Sequence, residues 1–234
     1  MPPPRTLSGT PPGYFYSEDD MTPETEETLA QMIVAADGPL RIVGGGTRPI
    51  GRATGAALSL AGMAGITLYE PGALTLVAKA GTPLSEVQAR LAAENQRLAF
   101  EPMDHRALLG TSGEPTIGGM VAANVSGPRR ITVGACRDFM LGVRLVDGAG
   151  HIVKNGGRVM KNVTGYDLVK LLTGSYGTLG VLTEVSLKVL PDVETQATLV
   201  LDGLDDATAV AAMAAALSSP FEVTGAAHDP AAGR

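Results

Sequence analysis

The residues best suited to chemistry lie together in Arg41 to Gly51, RIVGGGTRPIG, where a short apolar strand runs into three consecutive glycines. Glycine lets the backbone turn sharply and aim several N–H groups outward, and such a nest holds anionic oxygens without needing net positive charge. Thr47 adds a hydroxyl and Arg48 a cation, a set matched to a pyrophosphate. The same composition also suits a plain glycine-rich turn. Two familiar phosphate loops do not fit. A Walker loop requires Gly-Lys-Ser/Thr after four spacer residues, which this chain lacks. The Rossmann fingerprint requires G-x-G-x-x-G opening a helix; here the third glycine is misplaced and Pro49 interrupts the helix. Glu70 stands near the spacing of a ribose carboxylate, but a lone acid carries little weight.

Three further segments share this glycine-rich character. In Gly113 to Arg130, GEPTIGGMVAANVSGPRR, Gly118 and Gly119 allow a planar ligand to lie against the backbone, with Thr116 and Asn124 as hydrogen-bonding groups. A small-residue helix packed on a sheet would look the same. In Gly134 to Gly150, Asp138 precedes an apolar strand and reads as a loop tie. In Gly165 to Val185, glycines recur at 174, 177 and 180 before a strand, so Gly180, Val181 and Leu182 either face the polar edge of a ring or form a simple helix-to-strand turn.

The elements that must position these segments follow from periodicity. A first helix is expected with Thr22 as cap, Pro23 in its first turn, Leu29, Met32, Ile33 and Ala36 on one face, and Gly38 as its stop. Leu40–Val43 reads as a buried strand. Ile66–Tyr69 and Leu74–Lys79 read as strands joined at Pro71-Gly72, and Thr82-Pro83 opens a helix carrying Leu84, Val87 and Leu91. Leu98–Phe100 reads as a short strand, 139–153 as a hairpin turning at Asp147-Gly148, Tyr166–Leu172 as a helix and Val181–Leu190 as an alternating, half-buried strand. After Pro191 come TLVLDGL, an Ala-rich helix over Asp205–Leu217, and another strand around Phe221–Val223. The class is α+β.

Composition narrows the function. The 234 residues include 30 glycines, and 44% are hydrophobic, enough for a folded core. With 18 Lys and Arg against 24 Asp and Glu, the net charge is −6; five Tyr, four Phe and no Trp give little stacking surface, so nucleic acid is not an expected partner. No apolar run approaches the roughly 18 residues of a membrane-spanning helix, so direct insertion is not expected. Residues 1–21 read as a flexible leader without the apolar stretch of a secretory signal. One cysteine, Cys136, and three scattered histidines make no metal-ligand cluster.

Five collinear blocks, VGGGTRPIG, EPGALTLVAKAGTPLSEV, PTIGGMVAANVSGPRR, RDFMLGVRLVDGAG and GRVMKNVTGYDLVKLLTGSYGTLGVLTEVSLKVLP, resemble the FAD-binding domain of the vanillyl-alcohol oxidase / p-cresol methylhydroxylase superfamily. More narrowly, they are similar to the FAD-binding E subunits of bacterial glycolate oxidase (glycolate dehydrogenase). The resemblance covers 22–192, with 193–234 as the truncated start of a substrate or cap domain. It implies an α+β, two-subdomain FAD-binding domain of the p-cresol methylhydroxylase type. Gly44, Gly45, Gly46, Thr47 and Arg48 would hold the pyrophosphate; Thr116, Ile117, Gly118, Gly119 and Asn124 would line a second contacting turn, with Ser126 nearby. Val181 and Leu182 would place main-chain groups beside the cofactor. FAD would be non-covalent, since the histidine tether of some members has no counterpart within Leu40–Arg52.

The implied reaction is oxidation of a small 2-hydroxy acid, with hydride passing to the flavin and electrons onward to partner subunits. Those partners would be a second FAD-binding subunit and an iron–sulfur subunit, in the cytoplasm or at the inner membrane through the partners. The alternatives are a non-catalytic FAD-binding electron-transfer module and a flavin enzyme of this fold with another substrate. No catalytic base is assigned: His105, Tyr166 and Lys161 are poor candidates, and Cys136 reads as a small buried residue. Arg129 and Arg130 suit a phosphate, a partner or solvent equally. Met120 departs from the Asn that often follows the paired glycines in related dehydrogenases.

Overall fold

The computed structural model describes residues 21–51, 54–158 and 165–231. Residues 1–20 of the leader expected over 1–21, and Lys161, lie outside the described residues.

The first helix, α1 (Glu26–Ala35), begins later than its sequence suggests, because Thr25 is the cap: its hydroxyl accepts the Thr28 N–H at 3.1 Å. Thr22 cannot serve, since Met21 is already held extended, its N–H donating to Ala57 O at 3.1 Å and its carbonyl accepting from Ser59 at 2.7 Å. Leu29 is fully buried, Ile33 packs partly against the core, and the rest of the expected apolar face is more open. The strand β1 (Leu40–Val43) is half-buried rather than buried, because it pairs in parallel only with β2 (Ala56–Ser59) in a two-stranded sheet. Parallel neighbours need a long connection. The segment between them is that connection, and it contains the glycine loop.

The main sheet has five antiparallel strands in the order β3-β4-β8-β6-β7. They are β3 (Ile66–Glu70), β4 (Thr75–Lys79), β6 (Met140–Val146), β7 (Ile152–Gly156) and β8 (Val181–Lys188). The β3–β4 connection is a single 3-10 turn at Pro71–Ala73, and β6–β7 turns at Asp147–His151, whose carboxylate and carbonyl tie the turn closed. β8 is the central strand. Six of its eight residues are buried rather than every second one, because both of its edges are paired and both faces are covered.

Between the strands lie α2 (Leu84–Ala92), whose Leu84, Val87 and Leu91 are all buried as the spacing predicts, and α4 (Ile117–Ala122), which packs on β4 and β8. Leu98–Phe100 is not a strand. The pairing falls one step earlier, between β5 (Gln96–Arg97) and β9 (Leu190–Pro191), and the chain then turns inward. Glu101 N–H closes that turn on Leu98 O at 3.0 Å, with Phe100 fully buried and its ring 5.4 Å from that of Phe139.

The short helices α3 (Arg106–Leu109), α5 (Arg130–Val133), α6 (Cys136–Phe139) and α7 (Leu168–Leu172) fill the connections. α1 is fastened to the sheet through Glu26, which accepts from Arg144 of β6 and from the buried Thr183 of β8. Beyond β9, the expected Ala-rich helix is α8 (Asp206–Leu217), with Asp205 as its cap rather than its first residue, but 198–204 and Phe221–Val223 form no strand. Leu199 and Phe221 are exposed there, and neither stretch has a pairing partner among the described residues. The observed class is mixed helix and sheet, consistent with α+β.

Candidate functional site

A cavity of about 490 Å³ opens where β1 ends, bounded by the glycine loop, one face of α4 and the Tyr176–Thr178 turn. The loop can pass this close to α4 only because it lacks side chains. A Cβ on Gly45 would lie 1.5 Å from Glu114 O, and one on Gly44 would lie 2.5 Å from Thr116 Oγ1. Gly46 adopts φ 66°, in the left-handed region that favours glycine. α4 is seated just as closely on the sheet. Gly118 N–H donates to Ala80 O at 2.8 Å, and a Cβ there would meet Ala80 Cβ at 2.5 Å. The Thr116 hydroxyl caps α4 by accepting Gly119 N–H at 3.2 Å. The glycines therefore serve packing as well as any ligand.

Nine of the thirteen residues singled out from the sequence line this cavity: Gly44, Gly45, Gly46, Thr47, Arg48, Thr116, Gly118, Gly119 and Leu182. Four do not. Ile117 is fully buried in the core, and Val181 is buried and paired with Val146 in the sheet. Asn124 turns its Oδ1 to Arg137 N–H at 3.0 Å, and Ser126 Oγ accepts Cys136 N–H at 2.9 Å. Both polar side chains tie the α4–α6 connection instead of facing the cavity. Sequence reasoning missed Ile42, Ala122, Ala123, Tyr176 and Thr178, which also line it. The signal for Tyr176 was its place among the recurring glycines of 174–180.

The electrostatics of the site centre on Arg48. Its Nη1 is buried and has no hydrogen-bond partner, and burial lowers the guanidinium pKa, opposed by the proximity of Tyr176, Cys136 and Asp104. A buried cation with an unused donor is costly unless something anionic meets it. Among the described residues, the amides of Gly45, Gly46 and Thr47 also donate to no protein carbonyl. These observations fit the phosphates of a dinucleotide: a buried cation with an unused donor beside a run of backbone amides that no described protein carbonyl accepts from. The titratable lining consists of Arg41, Arg48 and Tyr176; no carboxylate, imidazole or thiol lines the cavity among the described residues.

The remaining candidates fall elsewhere. His105 lies in a separate cleft of about 90 Å³, with Nδ1 3.1 Å from Met103 O, and Glu70 faces Arg158 at 3.9 Å. Asp138 ties its loop by accepting Ala135 N–H at 2.8 Å, and Tyr166 is exposed. Arg129 faces Glu101 at 3.7 Å. Cys136 is buried, and desolvation pushes its thiol up to about 12, so it is unreactive at neutral pH. No group of His, Cys, Asp and Glu among the described residues could hold a metal, and no helix among them is long and apolar enough to cross a membrane.

Comparison with known proteins points the same way. The chain is 47% identical over 155 residues to the glycolate oxidase subunit GlcE of Escherichia coli (strain K12), covering 65% of this chain and 43% of that protein. It is 32% identical over 195 residues to a D-lactate dehydrogenase of Anaerostipes hadrus, covering 79% of this chain and 39% of the relative. It thus spans less than half the length of either. Among solved structures, an alkyldihydroxyacetonephosphate synthase superposes with a TM-score of 0.59 at 20% identity, covering 74% of this chain and 32% of that one, a likeness of fold. Residues 20–156, which carry the glycine loop, α4 and most of the residues lining the cavity, match the FAD binding domain family, so the chain belongs to that family and its cofactor is FAD.

Proposed function

We propose that this chain is the FAD-holding part of a 2-hydroxy-acid oxidising flavoenzyme of the glycolate oxidase type. The observation that carries the reading is the cavity itself, lined by Arg48 with its unpartnered Nη1 and by the glycine loop with its unused amides, in a chain 47% identical to GlcE over 155 residues. Gly44 to Arg48 would hold the pyrophosphate, and Thr116, Gly118, Gly119 and Leu182 would shape the wall beside it. Attachment would be non-covalent, since no histidine or cysteine lines the cavity among the described residues.

When bound, the flavin supplies two-electron redox chemistry, accepting hydride from the carbon that bears the substrate hydroxyl. The chain's own residues bind the cofactor, fix its orientation and exclude water from one side. The described cavity offers no carboxylate or imidazole as proton acceptor. That supports a division of labour in which 22–192 holds FAD, 193–234 opens a second unit, and the base and the substrate-carboxylate cation come from outside the described cavity. The exposure of the segment after Pro191, where Ala209 is the only buried hydrophobic residue among the described residues, agrees with a surface made to be covered. We place the chain with a second flavin subunit and an iron–sulfur subunit, cytoplasmic or held at the inner membrane face by them.

The same lack of a base favours one alternative: an electron-transfer module that holds FAD and takes no substrate. Anaerobic addition of glycolate or D-lactate to the FAD-loaded chain separates the two. Bleaching of the flavin band by the chain alone assigns it substrate oxidation. Bleaching only with partner subunits present assigns it the module role, and no bleaching with the complete complex refutes the hydroxy-acid reading.

A further inference from the structure

Besides the glycine loop and α4, the cavity is lined by Tyr176–Thr178, a turn whose backbone is unusual at its first residue. Tyr176 adopts φ 54°, between Gly174 at 91° and Gly177 at 75°. A bulky non-glycine residue in this region is strained, and such strain persists only where surrounding bonds impose it. Here they do: Gly174 N–H donates to Val121 O at 3.1 Å and Tyr176 N–H to Ala122 O at 2.8 Å, which fastens the turn to the C-terminal end of α4. The consequence is that Tyr176, 56% exposed, joins Arg48 in the lining of one cavity. The hydroxyl makes no hydrogen bond to another described residue. A donor hydroxyl and a cation with an unused N–H, both in the lining of one cavity, share a natural target in a single anionic group.

We infer that the Tyr176 hydroxyl and the Arg48 guanidinium form a two-sided clamp on one phosphate of the bound dinucleotide, Tyr176 acting as a positioning residue. The inference rests on the assignment of this cavity to FAD. The left-handed backbone at Tyr176 is what delivers the hydroxyl, so an ordinary conformation there would withdraw it from Arg48.

The test is a double-mutant cycle read by equilibrium binding. Dissociation constants for FAD are measured on the wild-type chain, Tyr176→Phe, Arg48→Gln and the double variant, with ADP as a competing ligand and riboflavin as a phosphate-free control. Tyr176→Phe keeps the ring and the fold, so loss of one hydrogen bond to a charged group should weaken FAD by about tenfold or more. ADP should weaken comparably and riboflavin not at all. In the Arg48→Gln background the effect of Tyr176→Phe should shrink below about twofold, because partners on one phosphate couple. An FAD affinity of Tyr176→Phe within twofold of wild type, or an undiminished loss in the Arg48→Gln background, overturns the clamp. An equal loss for riboflavin overturns it too, by moving the contact to the ring system. Failure of the wild-type chain to bind FAD instead overturns the cofactor assignment, so the two failures are distinct.

Discussion

Replacing Arg48 by Gln separates a ligand-binding arginine from a structural one by the sign of its effect on the ligand-free protein. In that state the guanidinium is half-buried with Nη1 unpartnered, and its lowered pKa reports the cost of burying the charge. A unit charge about 4 Å from a phosphate oxygen interacts by about 4 kcal/mol at an effective dielectric constant near 20. Removing one member of a desolvated charge pair costs about 2–5 kcal/mol in binding. Because Arg48 is only partly buried, the lower half of that range applies, and about 2–3 kcal/mol corresponds to a roughly 30- to 150-fold weaker FAD complex. The ligand-free protein, relieved of an uncompensated buried charge, should melt at the same temperature or slightly higher. The assays are titration of FAD fluorescence and thermal unfolding of the apo chain. An apo melting temperature lowered by several degrees, with FAD affinity within threefold of wild type, would refute the reasoning and make Arg48 a packing residue.

Three other predictions follow from the same structure. Burial raises the pKa of Glu26, but the hydrogen bonds from Arg144 and Thr183 and the Arg144 charge outweigh it and hold the carboxyl below its ordinary 4.5; its contribution is therefore present above that value and lost as pH falls through the lower one. Glu26→Gln should cost about 2 kcal/mol at neutral pH, which is about 4–8 °C in melting temperature for a chain of this size, and the gap to wild type should close below about pH 4; a constant gap would mean that the carboxylate charge is not involved. Gly45→Ala would put its Cβ 1.5 Å from Glu114 O, so the glycine loop and the segment leading into α4 must separate; a loss of about 1–3 kcal/mol in stability together with reduced FAD occupancy is expected, and a variant with wild-type melting and occupancy would contradict the close approach. Asn124 has φ 49° and bonds Arg137 N–H, away from the cavity. Asn124→Gly should lose about 1 kcal/mol of stability and leave FAD affinity unchanged, and a large drop in affinity would show that Asn124 does reach the ligand.

The sequence carries local pattern well and orientation poorly. The hairpin at Asp147 and the apolar spacing of α2 were legible because each is set by residues near in sequence. β2 was not, because Ala56–Ser59 has neither the β-branched residues nor the alternation of a strand; parallel pairing with β1 makes it one. For the cavity, the segments were legible but not always the residues within them. Successive helical residues point about a third of a turn apart, so Thr116, Gly118 and Gly119 face the cavity while Ile117 enters the core. Successive strand residues point to opposite faces, which puts Leu182 in the lining and Val181 out of it. Asn124 and Ser126 looked like ligand-binding groups because side chain–backbone ties inside a loop leave no mark on the sequence. Tyr176 was passed over for the opposite reason: a left-handed non-glycine residue cannot be read from a residue type that avoids that conformation.

FAD binding by this chain is tested most directly by one titration, FAD added to the purified, folded, cofactor-free chain and followed by its visible absorption spectrum. A perturbed flavin spectrum that saturates at one equivalent, with intact FAD released on denaturation, is the predicted result. A chain that unfolds cooperatively yet leaves the FAD spectrum unchanged would contradict it.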